Sequence, residues 1–201
     1  MNKKPIIAAI LAGGKSVRMG EVDKAELLLN GRRLIDHMAQ KIAKQADIVI
    51  LSAPHDYGLN LPLICDDAPM VKGPAAGIFS LAKYVRLTHG DAECFYTIPV
   101  DAPLFPNNIL EKLSCGGGNA VVQTQNGLHP TFAKWHVDHI INYMADMADM
   151  DAPRGIALHE ICTAVSAQKI YFDDENNFTN INNMEDFNAV QAMMMAKKML
   201  G

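Results

Sequence analysis

Ile6-Ile7-Ala8-Ala9-Ile10-Leu11-Ala12-Gly13-Gly14-Lys15-Ser16-Val17-Arg18-Met19-Gly20, followed by Asp23-Lys24, decides how this chain is read. An apolar run of strand length gives way to two adjacent glycines, and basic residues follow at short intervals. The run predicts a buried strand. The glycines free the loop beyond it to adopt positive φ and bring main-chain N–H groups close to an anion. Lys15, Arg18 and Lys24 add positive charge around the same point, so the segment predicts a seat for a nucleotide polyphosphate.

Three other readings of the segment fail. A P-loop needs a glycine five residues before Gly14, and position 9 is Ala9. A secretory signal needs a small-residue cleavage site after its apolar stretch, where this chain has Lys15 and Arg18. A dinucleotide fingerprint needs Gly-x-Gly-x-x-Gly, which does not occur here.

The chain has 201 residues and a net charge of −4, which argues against non-specific binding to nucleic acid or anionic membrane. A basic loop in an acidic chain is therefore a local device. Cys65, Cys94, Cys115 and Cys162 form no Cys-x-x-Cys pair and have no histidine at metal spacing. They are expected to be buried small hydrophobes of a reduced, cytoplasmic protein. No apolar run approaches the length of a membrane span.

Strand-like and helix-like segments alternate, the pattern of an α/β fold with a mainly parallel sheet covered by helices. Strands are predicted near residues 6–11, 48–51, 61–64, 94–99, 120–124, 131–134 and 169–172. Helices are predicted near 33–44, 75–87, 107–113, 137–147, 154–162 and 184–199. Residues 1–201 are expected to form one domain, with a flexible Gly-rich turn at 115–119 between an N-terminal half (about 1–115) and a C-terminal half (about 119–201). The Met-rich end, Met193 to Met199, reads as a terminal amphipathic helix laying flexible side chains on the core.

Asp101 follows an apolar strand and stands between Pro99 and Pro103. Ligands of open α/β sheets bind beyond the carboxyl ends of the strands, so Asp101 and the glycine loop are placed toward one crevice. A carboxylate beside phosphates suits Mg²⁺, which takes only one or two such ligands, although a turn-capping aspartate fits the same spacing. Asp66-Asp67 and Gly73-Pro74-Ala75-Ala76-Gly77, the latter opening a helix, point to the same sheet edge. Asn177-Phe178-Thr179-Asn180-Ile181-Asn182-Asn183 crowds polar groups before the last helix, where an asparagine N-cap is also expected.

Taken in order, these segments resemble the MobA-type molybdenum cofactor guanylyltransferases, a branch of the nucleotidyltransferase superfamily, over nearly the whole chain. The resemblance is carried by Leu11-Ala12-Gly13-Gly14-x-Ser16-x-Arg18-Met19-Gly20-x-x-Asp23-Lys24, Leu29-Asn30-Gly31 and Gly73-Pro74-Ala75-Ala76-Gly77. It continues in Asp101-Ala102-Pro103, His129-Pro130 and Phe178-Thr179-Asn180-Ile181-Asn182. It implies a three-layer, Rossmann-like fold of the nucleotide-diphospho-sugar transferase type. It further implies transfer of GMP from GTP to the phosphate of molybdopterin, with Mg²⁺ as cofactor and molybdoenzymes as possible clients. On this resemblance the backbone around Leu11, Ala12 and Gly13 holds the nucleotide and Lys24 contacts its phosphates; the charge on the triphosphate independently calls for Arg18, Lys24 and the amides of the Gly13-Gly14 loop around its β- and γ-phosphates. Asp66 is a nucleotide-binding aspartate, and Asp101 binds the metal. Asn180 and Asn182 approach the pterin phosphate, with Asn182 a further possible metal contact, and Arg154 helps to recognise the anionic pterin side.

Two departures stand out. Ser52-Ala53 replaces the asparagine that relatives often place near the base, and Glu26 stands where they usually have an apolar residue. A cytidylyltransferase of the same branch typically shows Leu-Ala-Ala-Gly where this chain has Leu11-Ala12-Gly13-Gly14, which favours guanine. Sugar-phosphate nucleotidyltransferases are generally longer. A cofactor-binding delivery protein is the non-enzymatic alternative, separated by incubation with GTP, Mg²⁺ and molybdopterin.

Overall fold

The computed structural model describes residues 4–13, 22–65, 74–148 and 155–200. The opening apolar run forms β1 (Ile7–Leu11), whose first four residues are fully buried. β1 lies between two parallel neighbours, β4 (Ile48–Ser52) and β6 (Cys94–Pro99), which accounts for a strand apolar on both faces. Between β1 and β4 come a short hairpin, β2 (Leu28–Leu29) with β3 (Arg32–Arg33), and helix α1 (Leu34–Ile42). Asn30 and Gly31 turn that hairpin at φ 53° and 78°, the backbone an Asn-Gly two-residue turn favours.

The rest of the sheet comprises β5 (Leu63–Ile64), β7 (Ala120–Thr124), β8 (Gly127–His136) and β9 (Gln168–Tyr171). Its order is β5-β4-β1-β6-β8-β7-β9, with β8 alone antiparallel to its neighbours. Helices α2 (Pro74–Thr88), α3 (Ile109–Ser114), α4 (Val137–Ala148), α5 (Leu158–Ala164) and α6 (Met184–Leu200) cover it.

Residue alternation along β1 sorts the core into two clusters. Ala8, Ile10 and Ala12 pack with Leu34, Ile35 and Met38 of α1, Leu110 of α3 and Val190 of α6. Ile7 and Ala9 pack on the other face with Ile78, Phe79 and Leu81 of α2, Ile140 of α4 and Ile161 of α5. The fold is thus three-layered and α/β, as expected. Met193 and Met194 of α6 lie partly buried against the first cluster, while Met195 is half exposed.

Several details differ from expectation. β8 starts four residues before the predicted strand because His129 already pairs with Val122, and the register then jumps across Pro130 to Ala133 opposite Val121. A proline has no N–H to give a ladder, so an irregularity there is the economical place to put it. The predicted helix start at Arg154 lies outside the described residues, and α5 begins at Leu158. The 115–119 turn is pinned rather than loose. Gly116 C=O accepts from the buried Lys134 Nζ at 2.8 Å, and Gly117 N–H donates to Gln168 Oε1 at 3.1 Å. Asn119, 4% exposed, donates to Val165 C=O and accepts from His136 N–H, locking β7, β8 and α5 together.

The cysteine expectation holds only for Cys162, whose burial pushes its thiol up to about 12. Cys65 and Cys115 are exposed and Cys94 is half-buried, because they follow an edge strand, end a short helix and start a strand. Among the described residues no helix is long and apolar enough to cross a membrane.

Two imidazoles tie stability to pH. Burial lowers the pKa of His129, against the pull of Glu175, and burial with the neighbouring His139 lowers that of His136, both from 6.5. Below about pH 6.5 the unfolded chain takes up protons that the fold refuses, so this contribution is whole above that pH and lost as pH falls. Urea midpoints are expected to decline from pH 7 to 5.5, and a flat profile contradicts the assignment.

Candidate active site

The chain runs from β1 out to β4 and β5 and then returns to β6 on β1's other side. That reversal between β1 and β6 is where an open α/β sheet leaves a crevice beyond its carboxyl edge. Leu11 is level with Ser52 on one side and Pro99 on the other, so three loops leave the sheet together. The Ala12 amide donates to Ser52 C=O at 2.8 Å, and the Val100 amide donates to Leu11 C=O at 3.0 Å. Ala12's N–H is therefore spent on the sheet, and Gly13 is the first exposed residue of the loop.

Asp101 follows β6 on a loop whose residues 102–105 are buried. Lys41 of α1 holds this loop from beneath. Its ammonium donates to Pro103 C=O at 3.0 Å and lies 4.1 Å over the Phe105 ring. Burial, with nearby Lys197 adding to it, brings the Lys41 pKa down to about 8.

Lys24 reaches the same place from a single 3₁₀ turn, Lys24–Glu26. Asp23 caps that turn by accepting the Ala25 N–H on Oδ1 at 3.0 Å. Its other oxygen, Oδ2, accepts the Tyr57 hydroxyl at 2.7 Å, tying the turn to the loop after β4. Tyr57 is 5% exposed and holds φ at 53°, and burial first and the Asp23 carboxylate second push its phenol upward. Glu26, the unusual residue of this motif, pairs at 3.2 Å with Arg33, which also makes two bonds to Asp36. The altered residue thus fastens the turn to the start of α1.

The asparagine-rich tract divides its labour. Asn183 caps α6 by accepting the Asp186 amide on Oδ1 at 2.8 Å, so the expected cap is there. Ile181 is fully buried and donates its amide to Asp101 C=O at 2.8 Å, while Asn180 and Asn182 on either side are exposed. Phe178 anchors the tract from below, with Phe132, Phe172 and His129 rings all 5.1 Å from its own.

These segments converge on one atom. Lys24 Nζ lies 2.8 Å from Asp101 Oδ2 and 2.9 Å from Asn182 Oδ1, joining residues 77 and 158 positions away. The Lys24 and Asp101 side chains retain only 14% and 21% of their exposure, so the charges are partly desolvated. A carboxylate oxygen and an amide oxygen aimed at one cationic point are hard donors suited to Mg²⁺ or a similar ion. Among the described residues no cluster of three or more His, Cys, Asp or Glu could hold a metal. A metal here would take few protein ligands, as Mg²⁺ beside phosphates does.

Of the other expected site residues, Leu11 ends β1 and Ser52 is buried at the end of β4. Gly14, Arg18, Asp66 and Arg154 lie outside the described residues. Sequence reading missed Tyr57, Lys41 and the Glu26–Arg33–Asp36 fastening. Tyr57 stands in His55-Asp56-Tyr57-Gly58, which reads as a polar turn, and nothing local marks its partner 34 residues earlier.

The Tyr57–Asp23 bond should be measurable. Tyr57→Phe and Asp23→Ala in a double-mutant cycle are expected to show a coupling of about 1 kcal/mol, the size of a hydrogen bond to a charged acceptor less its solvent screening. Additive urea-unfolding energies would contradict the brace.

A family model described as a MobA-like NTP transferase domain matches residues 8–157. A molybdenum cofactor guanylyltransferase from Cereibacter sphaeroides is 31% identical over 196 residues, 94% of this chain and 97% of the relative. One from Acidiphilium cryptum is 31% identical over 192 residues, covering 92% and 93%. Among solved structures, the molybdopterin-guanine dinucleotide biosynthesis protein A of Archaeoglobus fulgidus superposes with a TM-score of 0.69. It covers 95% of this chain and 100% of its own, and at 16% identity the likeness is one of fold.

Proposed function

We propose, since the chain belongs to the MobA-like NTP transferase family, that it is a molybdenum cofactor guanylyltransferase. The reaction moves GMP from GTP to the terminal phosphate of molybdopterin. A phosphate oxygen of the pterin attacks the α-phosphorus, the bond to the β-phosphate bridge breaks, and pyrophosphate leaves with the electron pair. The observation that carries this reading is the meeting of Lys24, Asp101 and Asn182 at the sheet's switch point. The choice of guanine rests on the names of relatives that match almost end to end.

Two anions must be brought together, so the protein's work is positioning and charge neutralisation rather than nucleophilic catalysis by a side chain. Asp101 and Asn182 would hold a divalent cation, Mg²⁺ by preference, and when bound it would supply positive charge to the reacting phosphates. Lys24 and Arg18 hold the outer phosphates, with the Gly13-Gly14 loop against the nucleotide. Ala12 presents its carbonyl to the nucleotide, since its amide is engaged with Ser52, and Leu11, whose carbonyl is engaged with Val100, ends the strand that carries this loop. Ser52 and Asp66 are assigned to the base and ribose, and Asn180 and Arg154 to the pterin phosphate. Residues about 1–115 then serve the nucleotide and 119–201 the acceptor within one domain.

Incubation with GTP labelled at the α-phosphate, Mg²⁺ and molybdopterin tests the reading. Label is expected in a pterin–guanine dinucleotide, with one pyrophosphate released per product. Label that stays with GTP, or passes only to a sugar phosphate, overturns it.

A further inference from the structure

We propose that Lys24 occupies the metal's own oxygens as an internal cation, so that metal and nucleotide can load only by exchanging partners with it. The inference rests on the proposed metal role of Asp101. Lys24 Nζ bonds both Asp101 Oδ2 and Asn182 Oδ1, at 2.8 and 2.9 Å, which are the two oxygens assigned to the divalent ion. An ammonium bonded to both oxygens takes up the lone pairs that a divalent ion would coordinate, so the ion competes with it for the same donors. Two positive charges drawn to one pair of oxygens repel each other, and more strongly in a partly desolvated site.

The backbone of Lys24 stays where it is. Asp23 caps its turn, Tyr57 holds Asp23, and Arg33 holds Glu26 at the turn's other end. The flexible stem of Lys24 is then the moving part, and its ammonium needs an anion to move to. A metal ion arriving alone displaces the ammonium without giving it a new partner. A triphosphate arriving alone draws the ammonium off and leaves Asp101 uncompensated. Arriving together they swap a Lys24–Asp101 pair for a Lys24–phosphate pair and a metal–Asp101 bond. Charge is balanced at every group. Binding of metal and nucleotide is consequently cooperative, each raising the other's affinity by the same factor.

The test is Mn²⁺ binding to the full chain without nucleotide, read from the electron paramagnetic resonance signal of the free ion. Lys24→Gln is expected to bind Mn²⁺ about fivefold more tightly than wild type, the scale of one partly screened ion pair. Adding Asp101→Asn to Lys24→Gln is expected to remove that binding. If Lys24→Gln binds no more tightly than wild type while Asp101→Asn still weakens it, the exchange is wrong and the metal role stands. If Asp101→Asn leaves Mn²⁺ binding unchanged in the Lys24→Gln background, the metal role itself falls and the exchange with it. Lys24→Met, which keeps the aliphatic stem, takes the place of Lys24→Gln if the latter loses its near-ultraviolet circular dichroism.

Discussion

Asp101→Asn is expected to lower kcat for GMP transfer by more than ~10²-fold while the protein stays folded. The substitution is nearly isosteric, and the Asp101 backbone carbonyl that receives the Ile181 amide is untouched. What disappears is the negative charge that holds the cation at the α-phosphate, and an interaction of this kind contributes several kcal/mol to the transition state. The Lys24–Asp101 pair keeps enough solvent contact that its loss should cost the fold only about 1 kcal/mol. Rate and stability therefore separate. A variant with near-normal kcat at saturating Mg²⁺ would remove Asp101 from the metal site.

Phe178→Ala should have the largest effect on stability. The ring is 2% exposed and meets Phe132, Phe172 and His129. Emptying such a site costs ~3–5 kcal/mol, which for a chain of this length lowers Tm by roughly 10 °C. The cost reaches the site as well, because Phe178 anchors the tract that delivers Asn182 to Lys24 four residues later. Assayed well below its own Tm, Phe178→Ala should lose more than about tenfold in kcat/KM, the transition-state share of one mispositioned polar contact. Phe178→Leu, which refills most of the volume, should recover much of both. Calorimetry with parallel kinetics checks this, and a low Tm with unchanged kinetics would show that Asn182 is positioned by other contacts.

How far the sequence could be read follows from how local each signal is. β6 and β7 fall on the predicted residues because each is a short apolar run closed by turn residues. β5 is shorter than predicted because Pro62 has no amide to pair, although its carbonyl still accepts the Leu51 N–H at 2.8 Å. The hairpin of β2 and β3 escaped notice because two residues per strand carry no periodicity. Lys24, Asp101 and Asn182 could be named from motif resemblance, and the glycine loop and Asp101 from strand-end logic. That all three meet at one ammonium was not legible, since chain separation says nothing of distance. Tyr57 and Lys41 lay beyond reach for the same reason, as each acts on a residue far away in the sequence.

Pyrophosphate release from each of the four nucleoside triphosphates, with Mg²⁺ and with or without molybdopterin, tests the proposed activity most directly. Release from GTP is expected to depend on molybdopterin and to exceed that from CTP, ATP and UTP by at least about tenfold, within the range a nucleotide pocket can discriminate. Release independent of molybdopterin, equal from all four, or greatest from CTP would contradict it.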